Sequence, residues 1–389
     1  MYIGDSSEPD FAARLCGIAE TTRFGRHEAS DAVQVFRAED VRELLRDRRL
    51  WSTRDISELV ARLPIEVRPV YTRLCEFLGL WPAFSDGPYN RRIRAHLITG
   101  LAGAAADEVR AALRRDLSAL LAGRVGTRFD WIADVSVPYA HLVLARSIGV
   151  SIDEARRVTE LGERIMRSIA STGIDVERAE QALAASKEMR DWLEHAIGVG
   201  GSRFISAVAD IWRDIDSGPQ AATAALAQVV TGSYQPLIGV MGALVEIIDA
   251  DHLRSLPIPV IREEAIRLAT PFRYVSRFTR CPMTIGDHEL GADGRVMLLL
   301  ATANVDPSAV PEPLEVRDRP KRANLAFGAG PHYCPGAAVA RMAIDIVLEQ
   351  LRGSGHVFAI GKVTREPEFS VLQYYSIVGE LTEASVAAP

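Results

Sequence analysis

The chain has 389 residues, 48% of them hydrophobic, and a mean hydropathy of +0.05. That is a globular composition with enough apolar material for a large core. With 45 Lys and Arg against 51 Asp and Glu the net charge is −6, which argues against nucleic acid as a main partner, because phosphate binding needs clustered positive charge.

The first fifteen residues lack a basic start followed by an apolar run, so no signal peptide or anchor is expected, and a cytoplasmic protein is. The first helical pattern runs from Ala38 to Arg48. Others follow over Arg91 to Ala106, Ala105 to Leu121, Ile152 to Ser171 and Ala179 to Ile197. A long apolar pattern covers Ala221 to Ala250, with no charge between Asp216 and Glu246. Ala224 to Ile248 is long enough to span a bilayer. However, Gln228, Thr231, Ser233, Tyr234, Gln235 and Pro236 near its middle would be costly in lipid, so it reads as the core helix of a protein outside the membrane.

Ile261 to Thr270 is a shorter helix between Pro259 and Pro271. Met283 to Leu290 and then Gly291 to Ala303 read as the two arms of a hairpin with Gly and Asp turns. Ala337 to Arg352 is a further helix, and a strand region near Phe369 to Leu381 closes the chain. No repeat or linker interrupts this, so the expectation is one domain over residues 1–389, mainly α with small β-sheets.

Cys16, Cys75, Cys281 and Cys334 lie far apart and form no Cys-x-x-Cys pair, which argues against a disulfide framework or a multi-cysteine zinc site. Cys334 stands out by context. A glycine-rich loop presents it and then enters a helix carrying Val339, Met342, Ala343, Ile346 and Val347 on an apolar stripe. Free N–H groups and the helix dipole favour a thiolate there. Gly328, Gly330 and Gly336 permit turns and close approach that a Cβ would obstruct. Phe327 can shield the sulfur from water, and His332 can bond an acidic group of a bound partner. A buried structural cysteine is the plain alternative. Zinc would find only His332 and Cys334 locally, and the Gly-Lys-Ser/Thr ending of a phosphate loop is absent.

Phe327, Gly328, Gly330, His332, Cys334 and Gly336 resemble the haem-ligand loop of cytochromes P450, Phe-Gly-x-Gly-x-His-x-Cys-x-Gly. Glu264-Ala-Ile-Arg267 resembles that family's Glu-x-x-Arg, and Ala303-Asn304-Val305-Asp306-Pro307 its Ala-Asn-Arg-Asp-Pro, with valine for arginine. Arg277 falls where the family places a haem-propionate arginine. In Asp86-Gly-Pro-Tyr-Asn-Arg-Arg-Ile-Arg94, Arg94 aligns with a second such arginine, and Asn90 stands where the family has histidine. The resemblance implies the mostly helical P450 fold, haem b (iron protoporphyrin IX) with Cys334 on the iron, oxygen chemistry on a small molecule, and a ferredoxin or flavodoxin-type electron donor. Arg92, Lys321, Arg322 and Arg341 are the expected basic docking patch for an acidic donor.

The central helix departs from the family. Ala-Gly-x-Glu/Asp-Thr is replaced by Thr231-Gly232-Ser233-Tyr234-Gln235, followed by Pro236, so the acid and the alcohol of proton delivery are both gone. Pro236 has no N–H for the Gly232 carbonyl, which predicts a local kink where a water can bond. Gln235 can hold that water but cannot act as an acid. Tyr234 is a poor relay with a pKa of about 10, and its ring can equally pack outward on neighbours. Gly232, Tyr234 and Gln235 are therefore the candidate catalytic residues. Three readings follow: dioxygen activation with protons from water or substrate, peroxide-driven oxidation, and a P450-like protein serving chiefly as a partner. Segments Ile56 to Phe84 and Ile165 to Ile174 are the expected pocket walls, with Leu78, Leu80, Trp81 and Phe84 the apolar part.

Overall fold

The computed structural model describes residues 5, 7–8, 10–54, 56–169, 174–320, 324–367 and 370–383. In chain order the elements are α1 (Phe11–Thr21), β1 (Phe24–His27), β2 (Ala32–Val35), α2 (Ala38–Leu44), β3 (Leu50–Trp51), α3 (Ile56–Ala61), α4 (Arg68–Gly79), α5 (Gly87–Leu101), α6 (Asp107–Leu121), β4 (Arg128–Asp130) and α7 (Val137–Ile148). Then come α8 (Ile152–Ile169), α9 (Val176–Val199), α10 (Arg203–Asp214), α11 (Gly218–Ile247), α12 (Ala250–Ser255), α13 (Ile258–Ala269), β5 (Val275–Thr279), β6 (Met283–Ile285), β7 (His288–Leu290), β8 (Arg295–Leu298), α14 (Leu300–Asn304), α15 (Ala337–Ser354), β9 (His356–Arg365) and β10 (Tyr374–Glu383). The fold is mainly helical with small sheets, as the sequence pattern indicates.

Two compact units divide the chain, each built from separated stretches. One comprises residues 1–50, 110–140 and 235–389, and the other residues 51–109 and 141–234. The division falls inside α11, between Tyr234 and Gln235.

In the first unit β1, β2, β8 and β5 lie side by side in that order. β2 and β8 are parallel (Val35 beside Leu298), and β5 runs antiparallel to β8, placing Arg277 opposite Val296. Val33, Val35, Val296 and Leu298 from this sheet pack in one cluster with Val41 and Leu45 of the α2 region and with Leu325 and Ala329. The sheet thus buries the start of the cysteine loop. In a second sheet, β4-β10-β9, Phe129 is edge-on to Phe358 (5.2 Å), and the following Trp131 lies tilted against the same ring (5.2 Å).

The second unit is helical. α8 pairs with α9, and α5 with α10, where Gly100 lets the helices close: a Cβ there would come 3.1 Å from the Ala207 Cβ and 3.2 Å from the Phe204 backbone. Local signals set the helix starts. The Ser151 backbone N–H donates to the Glu154 carboxylate (2.9 Å) while the Glu154 N–H donates to Ser151 Oγ (3.2 Å), a capping box that opens α8. Asp175 caps α9 by accepting from the Arg178 N–H (3.0 Å).

Two expectations need correction. The predicted hairpin closes within Met283 to Leu290, around Gly286 at φ 57° and Asp287, because a two-residue turn suffices. β8 then joins the other sheet, and Leu300–Asn304 is helical rather than the end of a strand. α5 begins at Gly87, not Arg91: Pro88 fits the first turn, and the Asp86 carboxylate accepts from the Ser52 and Thr53 N–H groups (2.8 and 2.7 Å). Phe369 lies outside the described residues. α11 is a single helix through Pro236; Ala224, Ala225, Leu226 and Ala227 are fully buried, as are Met241 and Leu244 further along. Among the described residues no single helix is long and apolar enough to cross a membrane.

Candidate active site

The cysteine loop folds back on itself before α15. The Gly328 N–H donates to the Leu325 carbonyl (2.8 Å), the Tyr333 N–H to that of Gly330 (3.1 Å) and the Cys334 N–H to that of Phe327 (3.0 Å). Gly328 and Gly330 both sit at φ 70°, in the left-handed region that side chains disfavour. Space adds to this at Gly330, where a Cβ would lie 2.8 Å from the Leu45 carbonyl oxygen. At Gly336 a Cβ would meet only Cys334 Sγ, at 3.9 Å, so the glycine leaves the flank of the sulfur open.

A buried polar network anchors the loop. Arg267 grips Glu264 with two bonds (2.8 and 2.9 Å), and both residues are nearly inaccessible. Arg267 Nη1 donates to the Asn304 carbonyl (2.6 Å). The Asn304 side chain then accepts from the Leu325 N–H (2.7 Å) and donates to Thr270 Oγ1 (2.7 Å). The path Glu264–Arg267–Asn304–Leu325 therefore runs from α13 into the first residue of the loop, with each buried group partnered. Asp306 caps α2 through the Ala38 N–H (2.9 Å).

Sequence reasoning missed two parts of this scaffold. Arg319 donates to Glu264 from its other side (2.9 Å), so one carboxylate holds two buried arginines. Arg341 lies over the Phe327 ring (4.6 Å), pairs with Glu263 (2.7 and 3.2 Å) and donates to Tyr333 Oη (3.1 Å). Burial pushes the Glu263 carboxyl up, but Arg341 and Arg262 outweigh it and hold it below its usual range. The only signal available was Glu263 and Arg341 on helices that pack together.

Arg341, expected in a docking patch, is partly exposed and pairs with Glu263. Arg92 is exposed and donates to the Asp214 carbonyl (2.7 Å). Lys321 and Arg322 lie outside the described residues.

Arg277 is buried on β5, its Nη1 donating to the Ser276 carbonyl (2.8 Å). It shares a unit with Phe327, Gly328, Gly330, His332, Cys334 and Gly336. Asn90 and Arg94 belong to α5 of the other unit. Asn90 is buried and donates to the Pro82 carbonyl (2.6 Å), pinning the segment after α4. Tyr89 Oη likewise donates to the Leu80 carbonyl (2.9 Å), and the Ala83 N–H to Gln228 of α11 (2.7 Å). Trp81 is buried there, edge-on to Phe77 (6.3 Å) and stacked with Phe84 (6.0 Å). Of the other expected wall, residues 170–173 lie outside the described residues.

On α11, a Cβ at Gly232 would meet nothing within 4 Å, so that side of the helix is open. Tyr234 is buried with its ring 4.6 Å from that of His141, and burial, with the charge of Glu163, pushes its phenol up to about 12. Glu163 follows Gly162, which packs against Val230 and Thr231 of α11.

The donor set tests which group the loop fits. Among the described residues no cluster of three or more His, Cys, Asp or Glu could hold a metal ion by itself. A single cysteine sulfur with no further ligating group clustered around it suits an iron already held by four porphyrin nitrogens and does not suit a bare ion seeking four protein ligands. The loop fits haem.

The family model of cytochrome P450 matches residues 248–351. Protein AknT of Streptomyces galilaeus is 28% identical over 330 residues, 77% of this chain and 72% of that protein. The 20-oxo-5-O-mycaminosyltylactone 23-monooxygenase of Streptomyces fradiae is 27% identical over 68% of this chain and 64% of its own length. Among solved structures, CalO2 superposes with a TM-score of 0.82 at 19% identity, covering 98% of this chain and 99% of that one.

Proposed function

The chain belongs to the cytochrome P450 family, and on that premise we propose that it is a haem-thiolate monooxygenase that activates dioxygen for oxidation of a small specialised metabolite without an acid–alcohol pair on α11. The observation that carries the reading is Cys334, set in a self-bonded loop before α15 with its sulfur flank left clear by Gly336. A scaffold protein has no use for so complete a ligand loop.

Haem b, when bound, supplies the iron at which oxygen is reduced and passed to the substrate. Cys334 would hold that iron. Arg277, buried on β5, and Arg94 of α5 would pair with the propionates, for which a planar guanidinium is well shaped. Phe327, backed by Arg341, keeps water from the loop that carries the sulfur. On α11 the Gly232 carbonyl receives no N–H from Pro236, and the space beside Gly232 is open, so a water can bond there. Gln235 both accepts and donates, so it holds such a water without changing charge. Tyr234 serves packing: its phenol is too weak an acid at about 12 to pass protons near neutrality.

The Streptomyces fradiae relative is named for oxidising a mycaminosyltylactone, which supports a specialised-metabolite substrate. Phe77, Trp81 and Phe84 offer an aromatic wall for it. The electron donor in this reading is of the ferredoxin or flavodoxin type, with Arg92 as a steering charge.

Purified protein incubated with an extract of its source, with a ferredoxin system and NADPH, with hydrogen peroxide, or with neither, tests the proposal by mass spectrometry. A product gaining oxygen or losing two hydrogens only with ferredoxin supports it. Conversion by peroxide alone favours a peroxide-driven enzyme, the reading that the missing acid and alcohol also suit. No product in any arm transfers the case to a partner-protein role. Cys334→Ala should abolish the thiolate-type spectrum of the reduced, carbon monoxide-bound protein; its persistence overturns the ligand assignment.

A further inference from the structure

Arg273 lies between α13 and β5 and is 6% exposed. Its backbone is held on both sides: its N–H donates to the Ser370 carbonyl (3.1 Å), and its carbonyl accepts from the Ala301 N–H (3.0 Å). The guanidinium stands over the Phe11 ring (5.6 Å), and Nη1 donates to the Ala269 carbonyl (3.0 Å). Nε is buried with no hydrogen-bond partner, and among the described residues nothing accepts from Nη2. The N–H groups of Nε and Nη2 point the same way and form one edge of the guanidinium.

Elsewhere in this chain that same edge grips carboxylates. Arg23 holds Asp40 with it (2.9 and 2.9 Å), Arg267 holds Glu264 (2.8 and 2.9 Å) and Arg341 holds Glu263 (2.7 and 3.2 Å). Arg273 is more buried than Arg23 or Arg341, yet its edge has no acid. Glu246, the carboxylate of the neighbouring Arg365–Tyr374 cluster, is already taken by the Arg365 guanidinium and by Tyr374 Oη (2.5 Å). A buried cation without a counter-charge is costly, and burial lowers the Arg273 pKa to about 10.

We infer that the Nε/Nη2 edge of Arg273 is a carboxylate site, filled by an acidic group on a bound small molecule. The edge is planar, positionally fixed and flanked by an aromatic ring, which suits a carboxylate carried on an apolar body. Two sources share that chemistry, a carboxylate on the substrate and a propionate of haem. The substrate is favoured because the proposed function already assigns the propionates to Arg277 and Arg94 by their places in the sequence. In that form the inference rests on the proposed function and narrows its substrate to an acid.

The test uses haem-loaded protein with biphenyl-4-carboxylate and its methyl ester as probes, read by thermal shift and by intrinsic fluorescence. The wild type should bind the acid about tenfold more tightly than the ester. Arg273→Met should erase that preference, and Arg273→Lys, which keeps the charge but loses the fork, should retain only part of it. The carbon monoxide spectrum of each preparation reports haem separately. Acid preference lost in Arg273→Met with normal haem content assigns the site to a substrate acid. Haem lost from Arg273→Met, with no acid preference in the wild type, assigns it to a propionate. No acid preference in the wild type together with normal haem loading of Arg273→Met overturns the inference. The wild-type comparison needs no variant, and Arg273→Lys serves if Arg273→Met fails to fold. Acid preference in a protein that gives no thiolate spectrum would leave this site standing and sink the monooxygenase reading alone.

Discussion

The cysteine loop and the middle of α11 are built on opposite terms. Around the loop, Glu264, Arg267, Arg319, Asn304 and the Leu325 backbone N–H are joined by direct bonds, and losing Glu264, Arg267 or Asn304 takes a partner from a buried group. Around Gly232 the helix faces open space, Pro236 removes a backbone donor, and Tyr234 turns to His141. The difference teaches that this chain fixes the start of the cysteine loop through buried direct bonds and leaves space beside α11 at Gly232. Helix packing along α11 rests on alanines such as Ala224 and Ala225.

The largest test of that contrast is Glu264→Ala, which strands two buried arginines. Unfolding free energy in urea should fall by about 3–5 kcal/mol. Arg267→Ala should cost less, because Glu264 keeps Arg319. If the two cost the same, the shared carboxylate is not the centre of the network.

Next in size are the loop glycines. Gly330→Ala combines a left-handed φ with a 2.8 Å overlap on the Leu45 carbonyl and should cost about 2–3 kcal/mol. Gly328→Ala has the same φ but free space, its nearest atom being the His332 carbonyl at 3.9 Å, and should cost about 1 kcal/mol. Thermal denaturation of both variants checks the order.

On α11 the signs reverse. Gly232→Ala gains helix propensity in open space and should stabilise the protein by up to about 1 kcal/mol. It should slow product formation in the ferredoxin assay if a water uses that space. Tyr234→Phe keeps the ring on His141 and removes only a phenol already too weak to relay, so turnover should change by less than about twofold. A large loss in Tyr234→Phe would make the hydroxyl part of the chemistry.

The smallest effect is on pH. Glu263 has a folded pKa below its ordinary 4.5, so its stabilising contribution is complete above that value and is lost as pH falls through the lower folded one. Arg341→Met should reduce that acid-side component in a plot of stability against pH, leaving the part that Arg262 supplies.

Much of the site was legible because it is local. Phe327 to Gly336 places ligand, turns and the following helix within a few residues, and Glu264 and Arg267 lie one helical turn apart, so order in the chain implies order in space. What lay beyond reading depends on distant residues meeting. The hairpin was misdrawn because β8 finds its partners in β2 and β5, which no local pattern reveals. Arg341 looked like a free surface charge until α13 supplied Glu263. The chain shows no linker because its two units interleave and share α11, so composition carries no mark of the division.

By itself, then, the sequence determined the mainly helical class and the cytochrome P450 resemblance of the cysteine loop, both of which follow from residue type and short spacing. Only the tertiary structure decided which buried charges are answered. Glu264 receives Arg319 from 55 positions away, while Arg273, equally plain in the sequence, receives no acid among the described residues. The physical reason is that a charge is satisfied by what surrounds it in three dimensions, and folding brings together groups whose distance along the chain says nothing of their distance in space.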